Sequence, residues 1–326
     1  MGRESRDGRR SSTLLETPLD PLTTTPQSGH SQTSTPPATT RPWGPRNWKL
    51  VLSYDGSDYC GWQIQPGQPT IQGELQAALG RVVGETPLPQ GSGRTDAGVH
   101  ALAQVASFAL RAPIPADSLQ CALNRTLPSA IRVREANKVR SDFHARHSAV
   151  AKTYEYRVYL ERPPHSLSRT MDCPPFLARY VYSYPWPLDF EALQASARLF
   201  IGMHDFLSFA ATDPDRAARS GPNPAASTVA DEEDSGQPGA TRTIFSSSWE
   251  CQPIEDTVLF VYRVRGSGFL HHMVRNLVGT MLDVGRGYRR AEEIPVMIAA
   301  RSRTAAGPTA PARGLFLHSV EYPPET

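Results

Sequence analysis

Ala151-Lys152-Thr153-Tyr154-Glu155-Tyr156-Arg157-Val158-Tyr159-Leu160 carries Tyr154, Tyr156, Val158 and Leu160 at every second position. That period of two places them on one face of a β-strand. The strand decides the fold because it opens a second run of elements after a first run has been completed upstream. Before it, Trp48–Tyr54 reads as a strand and Thr70–Val83 as a helix, with Thr70 as cap and Ile71, Leu75, Leu79 and Val82 on one face. Val105–Leu110 (strand), Ala116–Leu127 (helix) and Ile131–Val139 (strand) follow. After it come a helix over Leu188–Ile201, a strand pair over Thr243–Glu250 and Thr257–Arg265, a helix over Phe269–Val284 and a strand over Leu315–Tyr322. The order is roughly strand-helix-strand-strand-helix-strand, twice. It predicts a duplicated ferredoxin-like split-βαβ unit and an α+β fold rather than a doubly wound parallel sheet.

Outside these runs the 326-residue chain thins out. Residues 1–46 are Thr, Ser, Pro and Gly with few large apolar side chains, so they are expected to be a disordered tail. The subdomains are placed at 47–145 and 146–326, the second carrying a mobile insertion at 212–240 around Gly221-Pro222-Asn223-Pro224 and Asp231-Glu232-Glu233-Asp234. Cys60, Cys121, Cys173 and Cys251 contain no Cys-x-x-Cys pair, which argues against a zinc knuckle or disulfide framework and suits a reducing compartment. No apolar run reaches the roughly 18 residues of a membrane span, and acids interrupt the arginines of the N-terminus, so neither a membrane nor an organelle signal is expected. The cytoplasm is the expected compartment. Lys49, Lys138 and Lys152 are the only lysines; the remaining cations are arginines, which a coding bias explains in total number.

Four polar segments do not fit the packing pattern. Gly91-Ser92-Gly93-Arg94-Thr95-Asp96-Ala97-Gly98-Val99-His100-Ala101 is too glycine-rich for helix or strand and presents an acid on a turn. It has neither the glycine spacing of a dinucleotide fingerprint nor the ending of a P-loop. Asp96 is therefore a candidate nucleophile or acid/base. The others are Asp55-Gly56 through Gly61-Trp62-Gln63-Ile64-Gln65-Pro66; Asp142-Phe143-His144-Ala145-Arg146 leading into Lys152-Thr153-Tyr154-Glu155-Tyr156; and Ser267-Gly268-Phe269-Leu270-His271-His272-Met273-Val274-Arg275-Asn276, paired with Thr309-Ala310-Pro311-Ala312-Arg313-Gly314-Leu315-Phe316-Leu317. His271 and His272, read as helical neighbours, diverge by about 100° and are not expected to share an ion. His271 and Arg275, four apart, would share a face suited to phosphate or Asp96. Tyr156 is assigned to the core.

These motifs, in this order, resemble those of the TruA-type tRNA pseudouridine synthases, over residues 47–323. The resemblance implies a pseudouridine synthase fold: two ferredoxin-like subdomains sharing a mixed, mainly antiparallel sheet. It implies that Asp96 is the nucleophile, Arg94 the arginine beside the target nucleotide, Tyr154 the aromatic stacked on the uracil, Arg275 the partner of the aspartate, and Leu315 a leucine against the base. Arg146 and His271 join the expected substrate-binding set. It implies tRNA as partner, a homodimer, and uridines 38, 39 and 40 of the anticodon arm as targets. A carboxylate beside a guanidinium is favoured in its charged form, and an isomerisation consumes nothing, so no cofactor and no metal are expected. A target uridine in a stem must be extruded, which needs an aromatic platform (Tyr154) and a side chain to hold the gap (Arg94).

Overall fold

The computed structural model describes residues 44–161, 173–211, 239–254 and 257–324. The expected tail lies outside the described residues except for its last three positions, as does nearly all of the expected 212–240 insertion. Among the described residues, no helix is long and apolar enough to cross a membrane.

In chain order the elements are β1 (Arg46–Tyr54), α1 (Ile71–Val83), β2 (Gln90–Gly91), β3 (His100–Leu110), α2 (Ala116–Thr126), β4 (Ile131–Val139), β5 (Ala151–Leu160), α3 (Pro175–Ala178), β6 (Tyr182–Tyr184), α4 (Phe190–Arg198), β7 (Gly202–Asp205), β8 (Thr241–Ile254), β9 (Thr257–Gly266), α5 (Met273–Gly285), α6 (Ile294–Ala299) and β10 (Leu315–Glu321). Among the described residues all ten strands join one sheet, whose main path runs β4-β1-β3-β10-β5-β9-β8-β7. Within the first run, β4-β1-β3 with β2 on β3 is the ferredoxin-like strand order; β10-β5-β9-β8 repeats it in the second. The two copies meet at β3 and β10, which run parallel and pair through Phe316 with His100 and Leu317 with Ala101. Most other pairings are antiparallel, so the sheet is mixed.

The helices form where the sequence gives them a cap and an apolar stripe. Thr70 caps α1, its hydroxyl accepting from Gly73 N–H at 3.3 Å, and Ile71, Leu75 and Leu79 are fully buried. Asp189 caps α4 by accepting from Ala192 N–H at 3.1 Å, which is why that helix starts at Phe190 and not at Leu188. Leu193, Ala197 and Phe200 point inward, while Ile201 is exposed. Helices α1 and α2 pack on each other and α2 on β4; α4 packs on α5 and β8. Strand β3 begins at His100, five residues before the expected Val105, and α5 departs from expectation too. Its helix begins at Met273, four residues after Phe269, because His272 sits at φ 58° in the left-handed region, where a helix cannot run.

Candidate active site

The glycine-rich segment is a turn clamped on three sides. Val99 N–H donates to the Asp96 carbonyl at 3.1 Å, with Gly98 at φ 76°, the left-handed backbone that the third residue of such a turn favours in glycine. Trp62 N–H donates to Thr95 C=O at 3.0 Å, and Gly61, at φ 90°, lies directly beneath Thr95 and Asp96. Tyr54 Oη meets Thr95 Oγ1 at 2.9 Å. Gln104 Nε2 donates to Gly93 C=O at 2.9 Å, and Ser92 Oγ donates to Gln104 Oε1 at 2.6 Å. Burial pushes the Tyr54 phenol up to about 12, so it stays a neutral hydroxyl and a permanent hydrogen-bond partner. His100 closes the far end. Gly56 N–H donates to its Nδ1, and its Nε2 donates to the carbonyls of Arg179 and Arg313, each at 3.1 Å. Asp55 lies 3.2 Å from Nδ1 and pulls toward protonation, but burial dominates and lowers the His100 pKa.

On this turn the Asp96 side chain is 18% exposed. Arg275 Nη1 donates to its Oδ2 at 3.0 Å, while Arg275 Nε donates to Ala310 C=O at 2.7 Å. The guanidinium is thus aimed by the 307–311 segment, which Ala310 N–H ties back to Arg275 C=O. That segment is itself fixed by Asn276, fully buried, which accepts from Thr309 Oγ1 and Arg303 Nη2 and donates to Phe209 C=O.

His271 Nε2 and His272 Nε2 also face Asp96, at 3.6 Å from Oδ1 and 3.4 Å from Oδ2, with ring centroids 3.9 Å apart. These separations are longer than a good hydrogen bond. Burial lowers the His272 pKa despite the attraction of Asp96. The expected divergence of the two rings does not occur, because both residues precede the helix and the left-handed His272 swings them to the same side. The ligand atoms of Asp96, His271 and His272 lie within 4.8 Å of one another and could hold a metal ion. Arg275 already supplies a cation to the same carboxylate, which opposes a second.

Tyr154, on β5, is buried (7% exposed) and packs edge-on to Phe269 at 5.0 Å. Its hydroxyl and the Lys152 ammonium lie against the Gly93 backbone, about where a Cβ there would make contact, at 3.8 and 3.6 Å. Lys152 is 2% exposed, and reasoning from sequence gave it no role. Its signal was present: a lysine near the start of the strand that opens the second run. Leu315 is buried at the start of β10, opposite Tyr156, whose hydroxyl donates to Pro311 C=O at 2.7 Å. Arg94 is exposed on the turn. Arg146 lies elsewhere: its neighbour Ala145 bonds to Ser107 Oγ and to Tyr322 Oη, at the other end of β10 from Leu315. Seven strand residues put roughly 23 Å between those ends. The structure thus gathers Asp96, Arg275 and His271, with Tyr154 and Leu315 on adjoining strands, adds His272, and sets Arg146 apart.

The turn thus presents one acid to an aimed guanidinium, near a buried tyrosine and leucine, on a duplicated ferredoxin-like sheet. Residues 50–148 and 196–323 match the family described as tRNA pseudouridine synthase, and the chain belongs to that family. It is 47% identical to the tRNA pseudouridine synthase A of Solibacter usitatus over 278 residues, covering 85% of this chain and all of that one. The enzyme of the same name from Moorella thermoacetica is 43% identical over 277 residues, with 84% and 98% covered. That of Acetivibrio thermocellus is 40% identical, with 85% and 100% covered.

Proposed function

We propose that this chain isomerises uridine to pseudouridine at positions 38, 39 and 40 of the tRNA anticodon arm, acting as a cytoplasmic homodimer. The observation that carries the site assignment is the Asp96–Arg275 pair at 3.0 Å on the clamped turn. In the reaction the bond from uracil N1 to ribose C1′ breaks and one from uracil C5 to C1′ forms. The C5 proton leaves and N1 gains one, so atoms balance with no redox partner. Asp96 is the nucleophile. Arg275 holds its carboxylate in one orientation, so the attacking oxygen is placed before substrate arrives. Tyr154 and Leu315 bound the space for the extruded uracil, and Arg94, exposed on the turn, holds the vacated position in the stem. His271 flanks the carboxylate and contacts a phosphate of the bound RNA, and Arg146 meets the RNA at a distance from the reacting base.

The test is Asp96→Asn on unmodified tRNA transcripts, with pseudouridine mapped by position. Tight binding without conversion is expected; unchanged conversion sinks the assignment of Asp96. Mapping in a strain lacking the gene tests the positions, since intact signals at 38 to 40 would refute them. Sedimentation of the purified chain at working concentration reports the dimer.

A further inference from the structure

The face of α5 that holds Arg275 continues through Gly279, Leu282, Asp283 and Arg286, residues spaced four, seven, eight and eleven along the helix. At its far end lies a cavity of about 240 Å³ lined by these residues, by Tyr182, Tyr184 and Trp186, and by the 308–311 segment. That segment rests on the helix backbone itself: a Cβ at Gly279 would fall 1.7 Å from Pro308 C=O. One strap therefore forms a wall of this cavity and, through Ala310, aims the arginine at Asp96. Eleven helical residues separate Arg275 from Arg286, or about 16 Å.

Trp186 and Arg286 belong to the walls, and Tyr288 stands just outside them against Arg286. The Arg286 guanidinium lies 4.2 Å from the Trp186 ring centre and 4.3 Å from that of Tyr288. Trp186 is 37% and Tyr288 66% exposed, so aromatic surface beyond the guanidinium is presented to solvent. Tyr182 and Tyr184 meet edge-to-face at 5.4 Å, and Arg313 stands 6.0 Å over Tyr182. Arg289 and Arg290 follow Tyr288, against one lining acid, Asp283, which faces Arg289 at 3.5 Å. The volume is below the 300–1,000 Å³ of a cofactor or drug-sized site. Alternating aromatic and guanidinium planes in a cationic rim are how proteins take up single unstacked bases.

We propose that this cavity is a second RNA site, in which an unpaired nucleobase of the same tRNA stacks on the Trp186–Arg286–Tyr288 layer while its target uridine lies at Asp96. The proposal rests on tRNA being the substrate. The occupied cavity would anchor the RNA a fixed distance from the reacting base and so contribute to grip rather than to chemistry.

The experiment uses the full chain and an unmodified tRNA transcript, with wild-type conversion scored first, so that failure of the proposed function registers separately. Tyr288→Ala and Arg286→Lys are each expected to raise KM and the Kd for tRNA on the order of 10-fold, within the range of one lost base stack, leaving the single-turnover rate at saturating tRNA within about threefold. Tyr288→Phe keeps the ring and is expected to restore KM to within twofold. Unchanged KM and Kd in both loss variants would overturn the proposal and leave the cavity to a different occupant, such as a peptide. A fall in melting temperature that tracks KM, with no rescue by Phe, would overturn it equally, by reducing the layer to a structural clamp.

Discussion

Replacing Gly61 with alanine tests whether the position of Asp96 is set from below. The added Cβ would lie 2.6 Å from Thr95 C=O, 3.1 Å from Asp96 C and 3.2 Å from Ala97 N, where ordinary contact begins at 3.4 Å. All three are backbone atoms of the turn, so no side chain can rotate away. The turn must retreat by about 0.8 Å, and a misplacement of about 1 Å costs on the order of 100-fold in rate. A 10- to 100-fold fall in the single-turnover rate is therefore expected. The φ of 90° adds strain of roughly 1–3 kcal/mol for any side chain. Stretching the Trp62–Thr95 hydrogen bond loses about 1 kcal/mol more. Gly67 provides the control. It also has a positive φ, 71°, but an added Cβ there meets nothing within 4 Å. Gly67→Ala should lose stability and keep its rate. The assay is release of tritium from uridine C5 in a labelled transcript, under saturating enzyme, beside urea titration of both variants. A Gly61→Ala rate within twofold of wild type would refute the reasoning, since the nucleophile would then tolerate a displaced support.

Arg275→Leu leaves the carboxylate of Asp96 without its partly buried partner. It should cost roughly 3 kcal/mol of stability and at least 100-fold in turnover, and denaturation and single-turnover assays check both. Glu155 is buried; burial opposes its charge, but Arg157 and Arg263, each at 2.8 Å, outweigh it and hold the carboxyl below its ordinary range. Its stabilisation is present above the unfolded value and is lost as pH falls through the folded one, so Glu155→Gln should flatten stability measured below about pH 4.5. His100 acts in a higher window. Burial depresses its folded pKa, so as pH drops below about 6.5 the unfolded chain takes the proton first and stability falls. His144 and His272, also depressed by burial, add in the same direction. Urea midpoints from pH 7.5 to 5.5 should fall less steeply in His100→Gln; an equal slope would remove His100 from the account. Treatment with EDTA should leave turnover unchanged, and loss restored by zinc alone would make Asp96, His271 and His272 a working metal site.

The repeat was legible because both copies depend on local patterning. Strand β5 has the bounds that alternation gave it, and α1 starts where Thr70 caps it. Helix α5 was misplaced for a non-local reason. Phe269 and Leu270 extend its apolar stripe toward the N-terminus, but His271 C=O is taken by Ala211 N–H from a distant loop, and His272 turns left-handed beside Asp96. Periodicity cannot register a contact between positions 60 residues apart. The same limit hid His272 as a neighbour of the carboxylate and Lys152 as a neighbour of Gly93. Arg94, Asp96, Tyr154 and Arg275 came from motifs whose spacing along the chain says nothing of distance in space. The pairing of Arg275 with Asp96 across 179 residues rests on the order of sheet strands, and the seam that fixes it pairs only two residues on each side.

That seam has a consequence for synthesis. Strand β10 is the last of the ten in chain order yet lies in the interior of the sheet, between β3 and β5. Until residues 315–321 have left the ribosome, the parts of β3 and β5 that β10 covers, His100–Ala101 and Ala151–Tyr156, stay open beside the parts paired by β2 and β6. The two halves can form their own hairpins early, but the catalytic aspartate and its arginine come into register only when the final strand is inserted between them. A ribosome stalled shortly before Leu315 would thus hold two nearly complete half-sheets, with no active site and two aggregation-prone edges.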